Sequence, residues 1–88
     1  MQNISMQHIT ILGSTGSIGT STLDVVARHP DKFKVVALTA NGQVDLLFRQ
    51  CQKFTPRYAV MVDETAAAQL RLLVRDAGLS IEEFKKLL

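Results

Sequence analysis

The stretch Ile9-Thr10-Ile11-Leu12-Gly13-Ser14-Thr15-Gly16-Ser17-Ile18-Gly19 reads as a strand, a glycine turn and the opening of a helix. Its three glycines stand three residues apart, and each has a separate physical task. Gly13 permits the tight turn out of the strand, Gly16 lets backbone approach a pyrophosphate, and Gly19 lets the helix pack close to the sheet. A helix beginning near Ser17 then offers unpaired N–H groups to an anion. The same pattern also serves a plain strand-to-helix turn, so the rest of the chain must decide how much weight the glycines carry.

Downstream of the turn, Leu23, Val26 and Ala27, joined by Thr22 and Val25, recur at helical spacing up to a stop at Pro30. Arg28 and His29 fall in the last turn, where positive charge suits the helix dipole, which makes His29 a surface residue and not a general base. His8 reads as a strand-entry residue. Lys34 to Thr39 is a β-branched, apolar run suited to a strand covered on both faces. A loop at Ala40-Asn41-Gly42 leads into a helix over 43–54 with Val44, Leu47, Phe48 and Cys51 on one face, ended by Pro56. Tyr58 to Val62 is a third strand, and Asp63 caps a helix through Ala66, Leu70, Leu73 and Val74 that stops at Gly78. The βαβαβα alternation predicts an α/β fold: a Rossmann-like half with a three-stranded parallel sheet in the order 3-2-1 and flanking helices. Residues 1–79 would form this domain. Residues 80–88 open with a capping box, Ser80 with Glu83, and carry Phe84, Leu87 and Leu88 on one side, which predicts a short amphipathic helix.

Composition narrows the function classes. The chain has 88 residues, 47% hydrophobic and 20% charged, enough for one modest core. A net charge of +2 from ten basic and eight acidic residues spread along the chain provides no patch for nucleic acid. No apolar run approaches the roughly 20 residues of a membrane span, and the first seven residues lack signal-peptide character, so a cytoplasmic protein is expected. The single cysteine, Cys51, excludes an internal disulfide and reads as a small buried apolar residue, since a reactive thiol needs an activating neighbour. No histidine and carboxylate cluster has metal-ligand spacing; Asp63 with Glu64 is better explained as a helix start. Ser14, Thr15, Ser17, Thr20, Ser21 and Thr22 have no evident base nearby, and phosphate contact or helix capping suits them better than nucleophilic chemistry. No catalytic residue and no metal ligand is assigned.

In a dinucleotide site, the residue about twenty past the glycines reads the ribose, and an acid there accepts from the 2′-hydroxyl of NAD. The corresponding region is Thr39-Ala40-Asn41-Gly42-Gln43, with no carboxylate before Asp45. Asn41, Gln43 and the N–H groups around Gly42 can donate to a 2′-phosphate, which favours NADP over NAD. Taken alone, Asn41-Gly42 is also an ordinary turn dipeptide.

Four segments carry a resemblance to a known family: Ile11 to Gly19, Ser21-Thr22-Leu23-Asp24-Val25-Val26, Val36 to Asn41, and Phe54-Thr55-Pro56-Arg57-Tyr58-Ala59-Val60. Together they resemble the amino-terminal NADPH-binding domain of 1-deoxy-D-xylulose 5-phosphate reductoisomerases over about residues 9–78. The resemblance implies an enzyme that isomerises and reduces a sugar phosphate to 2-C-methyl-D-erythritol 4-phosphate with NADPH and magnesium or manganese. By position it implies Thr15, Gly16, Ser17 and Ile18 around the pyrophosphate, after the turn at Gly13, and Asn41, Gly42 and Gln43 around the 2′-phosphate. A basic or second asparagine residue is usual in that last segment, and here it is absent. Members of the family run to several hundred residues, so the expectation is a truncated or altered product or an excised domain, inactive alone and competent at most to bind NADPH weakly. A half-sheet with strand one at its edge further predicts self-association, through that edge or the terminal helix. Two other readings are a fragment of another NADP enzyme, such as an aspartate-semialdehyde-dehydrogenase-like one, and a non-catalytic module that keeps the glycine turn as scaffold.

Overall fold

The computed structural model describes residues 6–84. Along the chain run β1 (Gln7–Ile11), α1 (Ser17–Ala27), β2 (Phe33–Ala40), α2 (Val44–Phe54), β3 (Tyr58–Met61), α3 (Glu64–Asp76) and β4 (Glu82–Phe84). The strands form one sheet in the order β1-β2-β3-β4, and every pairing is parallel. The expected three strands and their order are present, and a fourth strand extends the sheet beyond β3.

That fourth strand departs from the helix expected over 80–88. Glu82 pairs with Tyr58 and Phe84 with Val60, and the Glu82 N–H donates to the Arg57 carbonyl at 3.0 Å. The physical reason is competition. A nine-residue helix pays the nucleation cost for few bonds, whereas the open edge of β3 presents backbone groups already in line. Ile81, 8% exposed, joins the core at the same point. Residues 85–88, which the expected helix also covered, lie outside the described residues.

Each strand is added on the same side of its predecessor, and right-handed crossovers therefore place α1, α2 and α3 on one face of the sheet. One core results: Leu23 and Val26 from α1, Leu47 and Cys51 from α2, Ala66, Ala67, Leu70 and Val74 from α3, packed on Ile11, Val35, Leu38, Ala40, Ala59 and Met61. The two-sided cover expected for β2 is not provided by these helices. Thr10 is exposed and Thr39 half-buried, while their neighbours Ile11, Leu38 and Ala40 are buried. A bulge sets this phase: Ile9 pairs with Val35 but Thr10 with Ala37, so Val36 is the extra residue and both Val35 and Leu38 meet the core.

The helices differ in how they start and stop. α1 contains Gly19, Thr20, Ser21 and Thr22, poor helix formers; two hydroxyls bond backwards, Thr20 Oγ1 to the Ser17 carbonyl and Thr22 Oγ1 to that of Ile18. Packing of Leu23 and Val26 holds the helix instead. The expected stripe was too wide, since Val25 is 50% exposed and Thr22 also faces out. The helix also ends a little earlier than expected, with Arg28 at the C-cap. α3 begins at Asp63, whose Oδ2 accepts from the Ala66 N–H at 2.8 Å. It closes in a Schellman motif in which Gly78 (φ +72) donates to Arg75 and Leu79 donates to Val74.

Candidate functional site

The glycine turn lies at the carboxyl end of β1, where open parallel sheets bind ligands. Gly13 adopts φ +67, the left-handed conformation that glycine takes without strain. Its N–H donates to Thr39 Oγ1 at 3.0 Å, and the next N–H, of Ser14, donates to the Thr39 carbonyl at 2.8 Å. The turn is thereby fastened to the end of β2, one residue before Ala40-Asn41-Gly42-Gln43. Gly16 closes the turn with a 3.1 Å bond to the Gly13 carbonyl and accepts from Thr20 as the first helical bond forms. Gly19 is buried directly beneath the turn: a Cβ there would overlap the Gly13 carbonyl oxygen and stand 2.7 Å from Ser14 Cα.

The N-terminus of α1 has what an anion requires. Gly16, at the N-cap, supplies no side-chain hydrogen bond, and no acid stands in the first turn. α2 and α3, by contrast, carry Asp45 and Glu64 in their first turns. Gly16, Ser17 and Ile18 are exposed and Thr15 is half-buried, so the first-turn N–H groups and the positive end of the dipole face solvent. A Cβ on Gly16 would meet only the Gly13 carbonyl oxygen, at 3.5 Å, which leaves the turn open on its outer side. These features fit a dinucleotide pyrophosphate.

The second half of the candidate site, Asn41, Gly42 and Gln43, is exposed and held from below. The Asn41 carbonyl accepts from Asp63 N–H at 2.9 Å, that of Ala40 from Val62 at 3.0 Å, and that of Gln43 from Leu47 at 3.1 Å. One carboxylate comes closer to this loop than the sequence suggested, because the Asp63 Cβ lies 3.9 Å from where a Gly42 Cβ would stand. That carboxylate is engaged in capping α3. No side chain of the loop is acidic, in keeping with a phosphate on the ribose.

Two residues of this architecture escaped the sequence reading. Thr39 holds the turn through both its hydroxyl and its carbonyl. Gln50, on the core side of α2, is 7% exposed and reaches under the turn to Ser14, which is wholly buried. The Ser14 hydroxyl donates to Gln50 Oε1 at 2.7 Å, and Gln50 Nε2 donates to the Ser14 carbonyl at 2.8 Å. Ser14 is therefore no phosphate ligand through its side chain, and Thr20 and Thr22 are likewise committed within α1. A signal for Gln50 existed: it is the polar member of a stripe that otherwise runs Leu47, Cys51 and Phe54. Among the described residues no group of three or more His, Cys, Asp or Glu side chains could hold a metal, and no helix is long and apolar enough to cross a membrane.

A parallel sheet whose first strand leads through a glycine turn into an uncapped helix is half of a Rossmann-type, dinucleotide-binding fold. Comparison with known proteins makes the class particular. The chain belongs to the 1-deoxy-D-xylulose 5-phosphate reductoisomerase family, whose model matches residues 9–86. It is 62% identical over 79 residues to the reductoisomerase of Nitrosospira multiformis, covering 90% of this chain and 20% of that protein. With the Methylococcus capsulatus enzyme it shares 62% over 74 residues, covering 84% and 19%. The Zymomonas mobilis reductoisomerase, solved in complex with NADPH, superposes with a TM-score of 0.82 at 38% identity over 89% of this chain and 20% of that one. A reductoisomerase solved with NADPH, fosmidomycin and magnesium gives 0.85 at 38% identity, covering 90% and 19%. The chain thus spans about a fifth of the length of the relatives it matches.

Proposed function

We propose that this chain is the amino-terminal cofactor-binding segment of a 1-deoxy-D-xylulose 5-phosphate reductoisomerase and binds NADPH between the glycine turn and the loop after β2. The observation that carries the reading is the uncapped, acid-free N-terminus of α1 tied through Thr39 to the loop at Asn41. Gly13 shapes the turn, and the backbone at Thr15, Gly16, Ser17 and Ile18 holds the pyrophosphate. Asn41, Gly42 and Gln43 donate to the 2′-phosphate of the adenosine ribose. When bound, NADPH supplies the hydride for reduction. The reaction is the rearrangement and reduction of 1-deoxy-D-xylulose 5-phosphate to 2-C-methyl-D-erythritol 4-phosphate in isoprenoid biosynthesis, with magnesium or manganese, in the cytoplasm. Within it the share of these residues is to bind and orient the cofactor.

Titration of NADPH, followed by its fluorescence, tests the reading in the chain itself. Gly16→Asp suits the control, because Gly16 is exposed and a Cβ there meets nothing closer than 3.5 Å. The fold should persist, while the new carboxylate opposes the phosphates at the helix N-terminus. Saturable binding abolished by Gly16→Asp is the expected result; no binding at millimolar NADPH favours the scaffold reading instead.

The edge position of β1 further supports a homo-oligomer. Among the described residues β1 pairs with β2 alone, with Leu12 75% exposed beside it, and such an edge favours pairing with another copy. Light scattering across a concentration series should show a dimer or larger species, and a monodisperse monomer would contradict it.

A further inference from the structure

The first two residues of the glycine turn, which follows β1, are held from two directions, one the neighbouring strand β2 and the other the helix α2. From β2, Thr39 accepts the N–H groups of Gly13 and Ser14. From α2, 36 positions later in the chain, Gln50 takes both remaining polar groups of Ser14, its hydroxyl and its carbonyl. The amide orientation follows from the chemistry: a carbonyl oxygen can only accept, so the nitrogen of Gln50 must face it, and the oxygen is left to accept from the hydroxyl. Ser14 is 0% and Gln50 7% exposed, and no buried side-chain polar atom among the described residues lacks a partner. A buried two-bond clamp of this kind fixes the residue it grips. Immediately beyond the gripped residue come Thr15, Gly16 and Ser17, where, among the described residues, the only further bond from a backbone N–H is that of Gly16 to Gly13 within the turn itself.

We propose that Gln50 is a positioning residue of the pyrophosphate site: its clamp on Ser14 sets the course of the chain through Thr15, Gly16 and Ser17, and so aims their N–H groups at the phosphates. The inference rests on the reading of the turn as a NADPH site. It goes further in giving α2 a part in phosphate binding. The 2′-phosphate loop has supports outside α2, because the Ala40 and Asn41 carbonyls are held by the N–H groups of Val62 and Asp63. Loss of Gln50 should therefore weaken one half of the site and spare the other.

The test uses the whole chain and three variants: Gln50→Leu, Gln50→Met, and Ser14→Ala, which removes the hydroxyl bond and keeps the bond to the carbonyl. Two ligands divide the site. NADPH engages both halves, whereas 2′-AMP carries the 2′-phosphate without a pyrophosphate. Removing a buried partner of this kind is expected to weaken NADPH binding about tenfold or more in the Gln50 variants, and less in Ser14→Ala. The affinity for 2′-AMP should stay within about twofold. A parallel loss for both ligands would reduce Gln50 to general structural support and overturn the proposal, as would unchanged NADPH affinity. Amide hydrogen exchange of the unliganded chain gives an answer that does not need the cofactor. Faster exchange at the Ser14 and Gly16 amides, the two bonded N–H groups at and just beyond the clamp, with those of Val62 and Asp63 unchanged, supports the clamp even if the wild-type chain binds no NADPH, an outcome that would count against the NADPH reading alone. Unchanged exchange at Ser14 and Gly16 overturns the clamp whatever the chain binds.

Discussion

Gly19, in the first turn of α1, packs directly against the carbonyl of Gly13: a Cβ at residue 19 would overlap that oxygen and come within 2.7 Å of Ser14 Cα. Both neighbours are backbone atoms of a turn already fastened to Thr39, so neither can swing away as a flexible side chain would. Gly19→Ala is expected to destabilise the chain by about 1–3 kcal/mol, the usual cost of overpacking. Gly42→Ala is the control, since its Cβ would meet only Asp63 Cβ at 3.9 Å. Urea unfolding should show the midpoint falling for Gly19→Ala and holding for Gly42→Ala; equal midpoints would mean that α1 can slide away from the turn.

The start of α3 depends on one side chain. Asp63 Oδ2 accepts the Ala66 N–H while the Asp63 backbone N–H holds the Asn41 carbonyl. Asp63→Ala removes the cap and is expected to cost about 0.5–2 kcal/mol, with Asp63→Asn keeping most of the stability. Thermal unfolding of the two variants separates the cases, and an alanine variant as stable as wild type would show that α3 is held by its packing alone.

Thr55, the C-cap of α2, adopts φ 42 and ψ 59, a left-handed conformation that costs a β-branched residue about 1–2 kcal/mol. It stands just before the buried Pro56, and its own side chain is exposed. Thr55→Gly relieves the strain but loosens the unfolded chain, so a net gain of up to about 1 kcal/mol is expected. A loss in denaturant titration would mean that the threonine side chain contributes more than its exposure suggests.

A pH dependence can be written into the Ser14 clamp. In Gln50→Glu the neutral acid repeats the donor and acceptor of the amide, but the carboxylate sets a charged oxygen against the Ser14 carbonyl in a buried place. The folded chain then holds the proton more tightly than the unfolded one. Stability should be full below the ordinary carboxyl range and be lost as pH rises through the raised value of the folded state. Urea midpoints of the variant, referred to wild type at each pH, should fall with rising pH; a difference that is flat or rises would contradict the hydrogen-bond assignment at Ser14.

What could be read from the chain and what could not divides along the range of the interactions. Alternating apolar runs, Pro30, Pro56, Gly78 and the cap at Asp63 are local signals, and they determined three strands, three helices, their order and the glycine turn. The same reading identified the family, because the matching segments lie in local order along the chain. The terminal segment failed for the same reason: its capping box is a local preference, overridden by the edge of β3, about twenty-five residues away in sequence. Tertiary structure alone decided the bulge at Val36, which turned both Val35 and Leu38 to the core, and it alone placed Gln50 beneath Ser14. Its place in the stripe of Leu47, Cys51 and Phe54 signals a glutamine turned to the core, but not what its amide meets there. Only when α2 packs on the sheet is its amide brought against the serine of the glycine turn.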